Sequence, residues 1–129
     1  MAGNLLLDTN IIIALFGQDV GVRKQLSASV DVFVPSIAIG ELYFGAQQST
    51  RAENNLNRVR EFASQAAVLS CDAVTAEYYG SMKSALKEKG RPLPENDIWI
   101  AALATQYGLT LITRDLHFRE IDGLQSEAW

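Results

Sequence analysis

The sequence contains a single cysteine, Cys71, so no disulfide bond can form within the chain. This excludes a disulfide-stabilised scaffold and favours a reducing compartment. Long hydrophobic runs are missing as well: the longest uncharged stretch, residues 98–113, is interrupted by Gln106 and Gly108. It is shorter than the roughly 20 apolar residues that cross a bilayer. No positive charge precedes the first apolar run, as a secretory signal would require, so we predict a cytoplasmic protein that does not enter a membrane.

Basic side chains are scarce, because the chain has 11 Lys and Arg against 15 Asp and Glu and a formal net charge of −4. A protein that coats nucleic-acid phosphates normally carries a basic excess, so a nucleic-acid function would need local chemistry that outweighs the overall charge. The 129 residues, 48% of them hydrophobic, suffice for one core, and no linker, repeat or low-complexity segment divides them. We predict a single domain over residues 1–129.

Short apolar runs alternate with amphipathic segments along the chain. This alternation is typical of βαβ units, in which helices cover both faces of a parallel sheet. We predict an α/β fold, a three-layer α/β/α sandwich around a parallel sheet of four to five strands. Ser36 and Asn96 are predicted to cap two helices, and Gly90 and Gly108 to end two. The predicted strands are 5–7, 32–34, 67–69, 109–113 and an edge strand at 124–126, and the predicted helices are 11–16, 36–47, 51–65, 72–89 and 97–107.

Four acidic side chains are expected at one edge of this sheet. Asp8 and Asp115 each follow a predicted strand, and the carboxyl ends of parallel strands meet at the edge where open α/β folds bind ligands. Asp97 lies in the first turn of a predicted helix that starts at the same edge, and Glu41 lies about one turn into another. Residues that are distant in sequence are therefore expected to become neighbours.

Four converging carboxylates need a cation, since each would otherwise raise the pKa of its neighbours. Mg²⁺ and Mn²⁺ prefer such oxygen ligands and keep several waters. A divalent ion held by carboxylates activates water for attack on a phosphodiester. Taken singly, each acid could be a helix cap, a first-turn acid or half of a surface ion pair. Their conjunction predicts metal-dependent phosphodiester hydrolysis.

Five short segments carry a resemblance to a known family. They are Leu-Leu-Asp-Thr-Asn at 6–10, Ser-Ile-Ala-Ile-Gly-Glu-Leu-Tyr-Phe-Gly at 36–45, Asp-Ile-Trp-Ile-Ala-Ala at 97–102, Leu-Ile-Thr-Arg-Asp at 111–115, and His117-Phe118. With these segments in this order and spacing, the chain resembles the PIN-domain ribonucleases, specifically the VapC toxins of bacterial VapBC toxin–antitoxin systems. The resemblance extends over nearly the whole chain.

The resemblance implies an endoribonuclease that cuts RNA, commonly tRNA, with one or two Mg²⁺ or Mn²⁺ ions. The Gly-Arg-Pro-Leu-Pro segment at 90–94 is most similar to the branch that cuts initiator tRNA at its anticodon loop. The resemblance also implies a homodimer, and a VapB-type antitoxin whose C-terminal segment brings an arginine to the carboxylates and displaces metal. The implied catalytic and metal-binding set is Asp8, Glu41, Asp97 and Asp115, the last at a position that is often Asn in such toxins.

Residues near these acids complete the predicted site. Two threonines match polar positions beside the metal site of the family, and an asparagine is expected to cap its helix and orient its neighbours. Two arginines close in sequence to the acids are expected to guide the RNA backbone. The only histidine, His117, is expected to pack or hydrogen-bond beside Phe118, with a general-base role as the alternative. The supporting residues are Thr9, Thr113 and Asn10, and the RNA contacts are Arg91 and Arg114.

Other interpretations fit parts of the pattern. A signalling receiver domain would need an acid beside Asp8 and a Lys after a late strand, but the sequence has Thr9-Asn10 and Arg114 there. A phosphatase with an Asp-x-Asp nucleophile pair has Asn10 where the second Asp would stand. A catalytically silent PIN-like module that binds RNA or protein stays open, with the four intact acids against it. Without those four acids the chain has 11 acidic and 11 basic side chains, so the predicted site accounts for the whole net charge.

Overall fold

The computed structural model describes residues 4–29 and 31–129, so residues 1–3 and Val30 of the predicted 1–129 domain lie outside the described residues. The strands are β1 Asn4–Leu7, β2 Asp31–Pro35, β3 Ala67–Leu69, β4 Thr110–Ile112 and β5 Ser126–Glu127. The helices are α1 Thr9–Phe16, α2 Val20–Ser27, α3 Ser36–Gln47, α4 Ala52–Gln65, α5 Ala73–Lys89 and α6 Glu95–Gln106, and a 3₁₀ turn spans Leu116–Glu120.

The five strands form one parallel sheet in the order β3-β2-β1-β4-β5. β1 lies at its centre, where Leu6 pairs with Phe33 of β2 and with Leu111 of β4. Because β1 is hydrogen-bonded on both sides and covered on both faces, its run of leucines shows no polar alternation. The predicted parallel sheet is confirmed, and its predicted edge strand is present slightly later, as β5. A receiver domain is excluded, since that fold has the strand order 2-1-3-4-5.

Helices cover both faces of the sheet and form two hydrophobic cores. Leu5 and Leu7 belong to the core with α1, α3 and α4, whereas Leu6 belongs to the core with α5, α6 and the 3₁₀ turn. Successive strand residues face opposite sides of a sheet, so three leucines serve both cores. The predicted three-layer α/β/α sandwich is confirmed. Within the described ranges, none of the helices combines the length and the hydrophobicity that crossing a membrane demands.

Two helices start after a proline and not at the predicted caps. α3 begins at Ser36 and α6 at Glu95, and neither has a side-chain cap hydrogen bond. The Pro94 carbonyl accepts the Asp97 amide at 3.1 Å, which makes Pro94 the N-cap of α6. The predicted caps Ser36 and Asn96 are therefore wrong, because both residues are already helical. Proline suits the position before a helix, since it has no N–H to leave unpaired.

Helix α2 has no counterpart among the predicted helices. Its one buried residue is Val22, so it lacks the apolar stripe from which amphipathic helices are predicted. The available signal is Asp19, whose side chain caps α2 by accepting the Val22 amide at 3.0 Å. The predicted glycine stops are confirmed: Gly90 and Gly108 have φ angles of 68° and 65°, which other residues rarely adopt.

Candidate active site

The carboxyl edge of the sheet brings the four acids into one electrostatic neighbourhood. Asp8 follows β1 and is the N-cap of α1, whereas Asp115 follows β4 and is the N-cap of the 3₁₀ turn. Asp97 lies in the first turn of α6, and Glu41 lies in the second turn of α3. Although they come from four different elements, Asp97 interacts electrostatically with each of the other three.

Asp8 is buried, with 5% of its surface exposed, whereas the other three acids are partly exposed. Its Oδ1 accepts the Thr9 amide at 2.8 Å, and its Oδ2 accepts the Thr113 hydroxyl at 2.7 Å and the Asn10 side-chain amide at 3.2 Å. Burial raises the pKa of Asp8, and the hydrogen bonds from Thr113 and Thr9 oppose that rise. Three donors therefore hold the carboxylate in one orientation at the end of β1.

Glu41 is joined to the same edge through Thr9. The Thr9 hydroxyl donates to Glu41 Oε1 at 2.6 Å, while the Thr9 amide donates to Asp8. Since Thr9 begins α1 and Glu41 lies in α3, this residue connects two acids from separate elements. A partly buried carboxylate is stabilised by such a hydrogen bond, which explains how Glu41 is accommodated in an otherwise apolar helix.

The pKa of Asp97 reflects its burial and the charges of the other acids in the site. Burial is the first cause that raises its pKa, to about 6, followed by repulsion from Asp8, Asp115 and Glu41. The neighbouring His117 opposes the rise. Each acid in this neighbourhood therefore makes ionisation of Asp97 less favourable, which is the behaviour expected where carboxylates converge without a counter-charge.

The donor set fits a hard divalent cation. Carboxylate oxygens are the ligands that Mg²⁺ and Mn²⁺ prefer. Among residues 4–29 and 31–129, no three acidic, cysteine or histidine side chains lie close enough to enclose an ion directly. An ion that keeps several of its waters fits such spacing, because water completes its coordination shell. A cation of this kind would neutralise the negative charges of the acids that repel Asp97.

Asp115 is connected to His117 at the start of the 3₁₀ turn. Its Oδ1 accepts the His117 backbone amide and lies 2.9 Å from the imidazole Nδ1. The His117 side chain is 77% exposed, whereas Phe118 is 1% exposed in the core. Of the two expected roles, packing or hydrogen bonding, the exposed His117 side chain fits the second, because its imidazole contacts the Asp115 carboxylate. The Asp115 amide in turn donates to the Thr113 hydroxyl at 3.0 Å, which links this loop to Asp8.

The two predicted arginines differ in their surroundings. Arg114 pairs with Asp19 at 2.9 Å through Nη2, and its Nε donates to the backbone carbonyl of Trp129. Its guanidinium is thus tied to α2 and the end of the sheet, and the Arg114 backbone amide donates to Asn10 Oδ1 at 3.2 Å. Asn10 therefore orients its neighbours as predicted, although Asp8, not Asn10, caps α1. Arg91, by contrast, is 66% exposed, with Glu120 at 3.8 Å.

Two cavities adjoin Glu41, and none of the sequence predictions includes them. One has a volume of about 260 Å³ and lies among α1, α3 and α4. The other has a volume of about 630 Å³ and reaches the start of α6. Both include Ile13 and Glu41 in their linings, so the two cavities adjoin the same acidic side chain. The only signals in the sequence are the two helix glycines of α3, Gly40 and Gly45, one in each lining.

A known family pattern runs through the chain: the model of the PIN domain matches residues 5–124. The chain belongs to the PIN-domain family. This PIN domain is 34% identical over 128 residues to ribonuclease VapC2 of Haemophilus influenzae. It is 32% identical over 127 residues to the tRNA(fMet)-specific endonuclease VapC of Shigella flexneri, and each alignment covers 96% of both chains.

The solved structures agree with these relatives. In the crystal structure of DNA-bound VapBC from Salmonella typhimurium, one chain matches the PIN domain with a TM-score of 0.91 and 32% identity. The match covers 100% of this chain and 99% of that one. The resemblance to VapC-type PIN domains is confirmed, and it extends over the whole fold.

Proposed function

We propose that this PIN domain is the metal-dependent endoribonuclease toxin of a VapBC-type toxin–antitoxin system, with one or two Mg²⁺ or Mn²⁺ ions. The observation that carries the proposal is the convergence of four carboxylates from separate elements at one edge of the sheet, where burial and then repulsion from the other three acids raise the pKa of Asp97 to about 6. Relatives of the same length are named ribonucleases and endonucleases, which supports RNA as the substrate. The residues proposed to act are Asp8, Glu41, Asp97 and Asp115.

The side chains have distinct parts in the proposed reaction. When bound, Mg²⁺ or Mn²⁺ supplies activation of water and neutralises charge on the phosphate. Asp8 is the preorganised ligand, because its three hydrogen bonds fix the carboxylate before anything binds. Asp97 is the partly exposed ligand, and the Thr9 hydroxyl holds Glu41 by a hydrogen bond. Thr113 is a positioning residue, since its hydroxyl donates a hydrogen bond to Asp8 and accepts one from the Asp115 amide.

The proposed substrate is tRNA, with the anticodon loop of initiator tRNA as the specific target. The Shigella flexneri relative is named for tRNA(fMet), and segment 90–94 leads directly into α6 and Asp97. Expression of the chain in a bacterium, followed by sequencing of new RNA 5′ ends, tests activity and target together. We expect one dominant cut in a tRNA, and its loss when purified protein is assayed in EDTA. New ends that persist in EDTA would disprove the mechanism, and cuts confined to other RNAs would disprove the target.

A catalytically silent binding module is the second candidate function. It would account for the cavities beside Glu41 but not for the three acids whose charges, together with burial, raise the pKa of Asp97. Binding of the same RNA without any cleavage, in Mg²⁺ and in Mn²⁺, would favour it.

The cavity of about 260 Å³, which we name the α1–α4 groove, is the proposed docking site for a VapB-type antitoxin. Its lining combines apolar side chains such as Phe16 and Leu42 with two charged ones, Glu41 and Arg58. An antitoxin segment with apolar residues and one arginine would match that combination, with the arginine reaching the carboxylates. VapBC complexes among the solved structures support such a partner. The homodimer stays a prediction that light scattering of the purified protein would test.

Filling this groove tests the docking site. A Cβ added at Gly45 would meet nothing within 4 Å, so Gly45→Leu fits on the helix and occupies the groove. We expect Gly45→Leu to weaken capture of a co-expressed VapB-type antitoxin by about tenfold or more. The matched control is Gly80→Leu on α5, which is equally open. Equal antitoxin capture by both variants would show that the partner binds elsewhere.

A further inference from the structure

The cavity of about 630 Å³, which we name the Phe44 cavity, lies directly beside the proposed catalytic acids. Its lining includes Thr9, Ile13, Gly40, Glu41, Phe44 and Asn96. Thr9 and Glu41 also belong to the carboxylate neighbourhood, and Asn96 immediately precedes Asp97. Anything held in this cavity is therefore next to a phosphodiester held at the acids.

The Phe44 cavity exposes large apolar side chains that the fold does not use. Phe44 is 69% exposed and Ile13 is 57% exposed, although both belong to helices whose other faces are packed. Single exposed apolar residues are common on protein surfaces, but a pair of them lining one cavity beside a cluster of acids indicates a ligand. The ring of Phe44 is therefore an exposed apolar surface in the lining of this cavity.

Gly40 keeps this cavity open. A Cβ at position 40 would meet nothing within 4 Å, so helix packing does not require glycine there. Glycine is one of the least favourable residues inside a helix, and a larger residue would stabilise α3. Its presence leaves free volume next to Glu41 and Phe44.

We propose that the Phe44 cavity binds the nucleobase next to the scissile phosphodiester, stacked on Phe44 and contacted at its edge by the Asn96 amide. This rests on the proposed ribonuclease function and adds a subsite for base recognition. The occupant is a base and not a phosphate, because the only charged group in the lining is the carboxylate of Glu41, which repels phosphate. Every base presents a π-face, and the asparagine amide both donates and accepts hydrogen bonds.

Single-stranded and looped RNA suits this arrangement. Proteins that read such RNA splay out unstacked bases and stack them on aromatic side chains. The Phe44 cavity is open at its mouth and sits at one side of the acids, so a base can enter while the backbone passes the carboxylates. An acidic site thereby gains affinity for RNA without a basic surface, consistent with the chain's net charge of −4.

Substitution of Phe44 tests the subsite directly. In single-turnover cleavage of short single-stranded RNA, we expect Phe44→Ala to raise the half-saturating protein concentration about tenfold. The maximal rate should change much less, because the acids are untouched. Phe44→Tyr keeps the ring and should restore binding. Tyr107→Ala is the matched control, since Tyr107 is an exposed aromatic at the opposite end of α6 from Asp97.

A binding measurement separates this proposal from the proposed function. Fluorescence anisotropy with the same labelled RNA and Asp97→Asn protein reports affinity without cleavage. We expect Gly40→Leu to weaken RNA binding as Phe44→Ala does, while Gly80→Leu does not. If RNA affinity is unchanged in both Phe44→Ala and Gly40→Leu, the proposed base subsite is overturned. This holds even if the two variants bind a VapB-type antitoxin more weakly, which would indicate that the cavity binds protein. If the unsubstituted chain binds RNA through Phe44 but does not cleave it, only the ribonuclease function is overturned.

Discussion

Replacement of Asp97 by asparagine is expected to lower the rate of RNA cleavage about a hundredfold or more in Mg²⁺, while the protein stays folded. Asparagine has nearly the same shape, so the substitution removes one negative charge from the four-acid neighbourhood with little change in packing. Asp8→Asn should behave alike, because Asp8 is the acid fixed by three donors. The control is Asp31→Asn, at the start of β2 and therefore at the opposite edge of the sheet.

The same substitution is expected to change the pH dependence of stability. The folded-state pKa of Asp97 is about 6, above its ordinary value of 3.8, so the fold favours the protonated form. The associated stability is fully present below about pH 4 and is lost as the pH rises through about 6. At about 1.4 kcal/mol per tenfold change in the proton equilibrium the upper limit is about 3 kcal/mol, which solvent screening reduces to roughly 1–2 kcal/mol.

Urea unfolding in EDTA, from pH 4 to pH 7, measures this difference. The free energy of unfolding of the unsubstituted protein should fall relative to Asp97→Asn between about pH 4 and 6, and the gap should then stay constant. Addition of Mg²⁺ should stabilise the unsubstituted protein more than Asp97→Asn, because an ion that binds the folded state raises its stability. Parallel curves for the two proteins, together with undiminished cleavage by Asp97→Asn, would refute both the shared field and its catalytic use.

Phe118→Ala is expected to lower the free energy of unfolding by about 3–5 kcal/mol. The Phe118 side chain is 1% exposed and packs in the core with Leu6, Ile98 and Leu111. Its removal leaves a cavity and releases the 3₁₀ turn that begins after Asp115. Because that turn holds Asp115 at the edge of the sheet, RNA cleavage should fall together with stability.

Leu116→Ala is the matched control for Phe118→Ala. Leu116 belongs to the same turn but is 62% exposed, so its truncation should change the free energy of unfolding by about 0.5 kcal/mol or less. Denaturant unfolding of the two variants tests whether the buried Phe118 side chain holds this turn against the core. Similar stability losses in the two variants would contradict the burial of Phe118.

Much of the fold could be predicted from local pattern. The leucines of β1 predict a strand buried on both faces, and Gly90 and Gly108 predict the ends of two helices. The predictions failed where two signals competed locally. Ser36 is a good capping residue, yet the preceding proline takes the cap position. Helix α2 escaped prediction because Val22 is its one buried residue, and a helix without an apolar stripe depends on tertiary contacts.

The amino-acid sequence was enough to predict which acids share an edge, because the alternation of strands and helices requires parallel pairing, and parallel strands end on the same side. It also determined that Asp8, Glu41, Asp97 and Asp115 account for the whole net charge of −4. The contacts around these acids follow only from the folded chain: the Thr9–Glu41 hydrogen bond, the Arg114–Asp19 pair and the lining of the Phe44 cavity. Such contacts depend on the distances and angles at which whole elements pack. Those distances and angles arise from both cores together and are not encoded in any one segment of the chain.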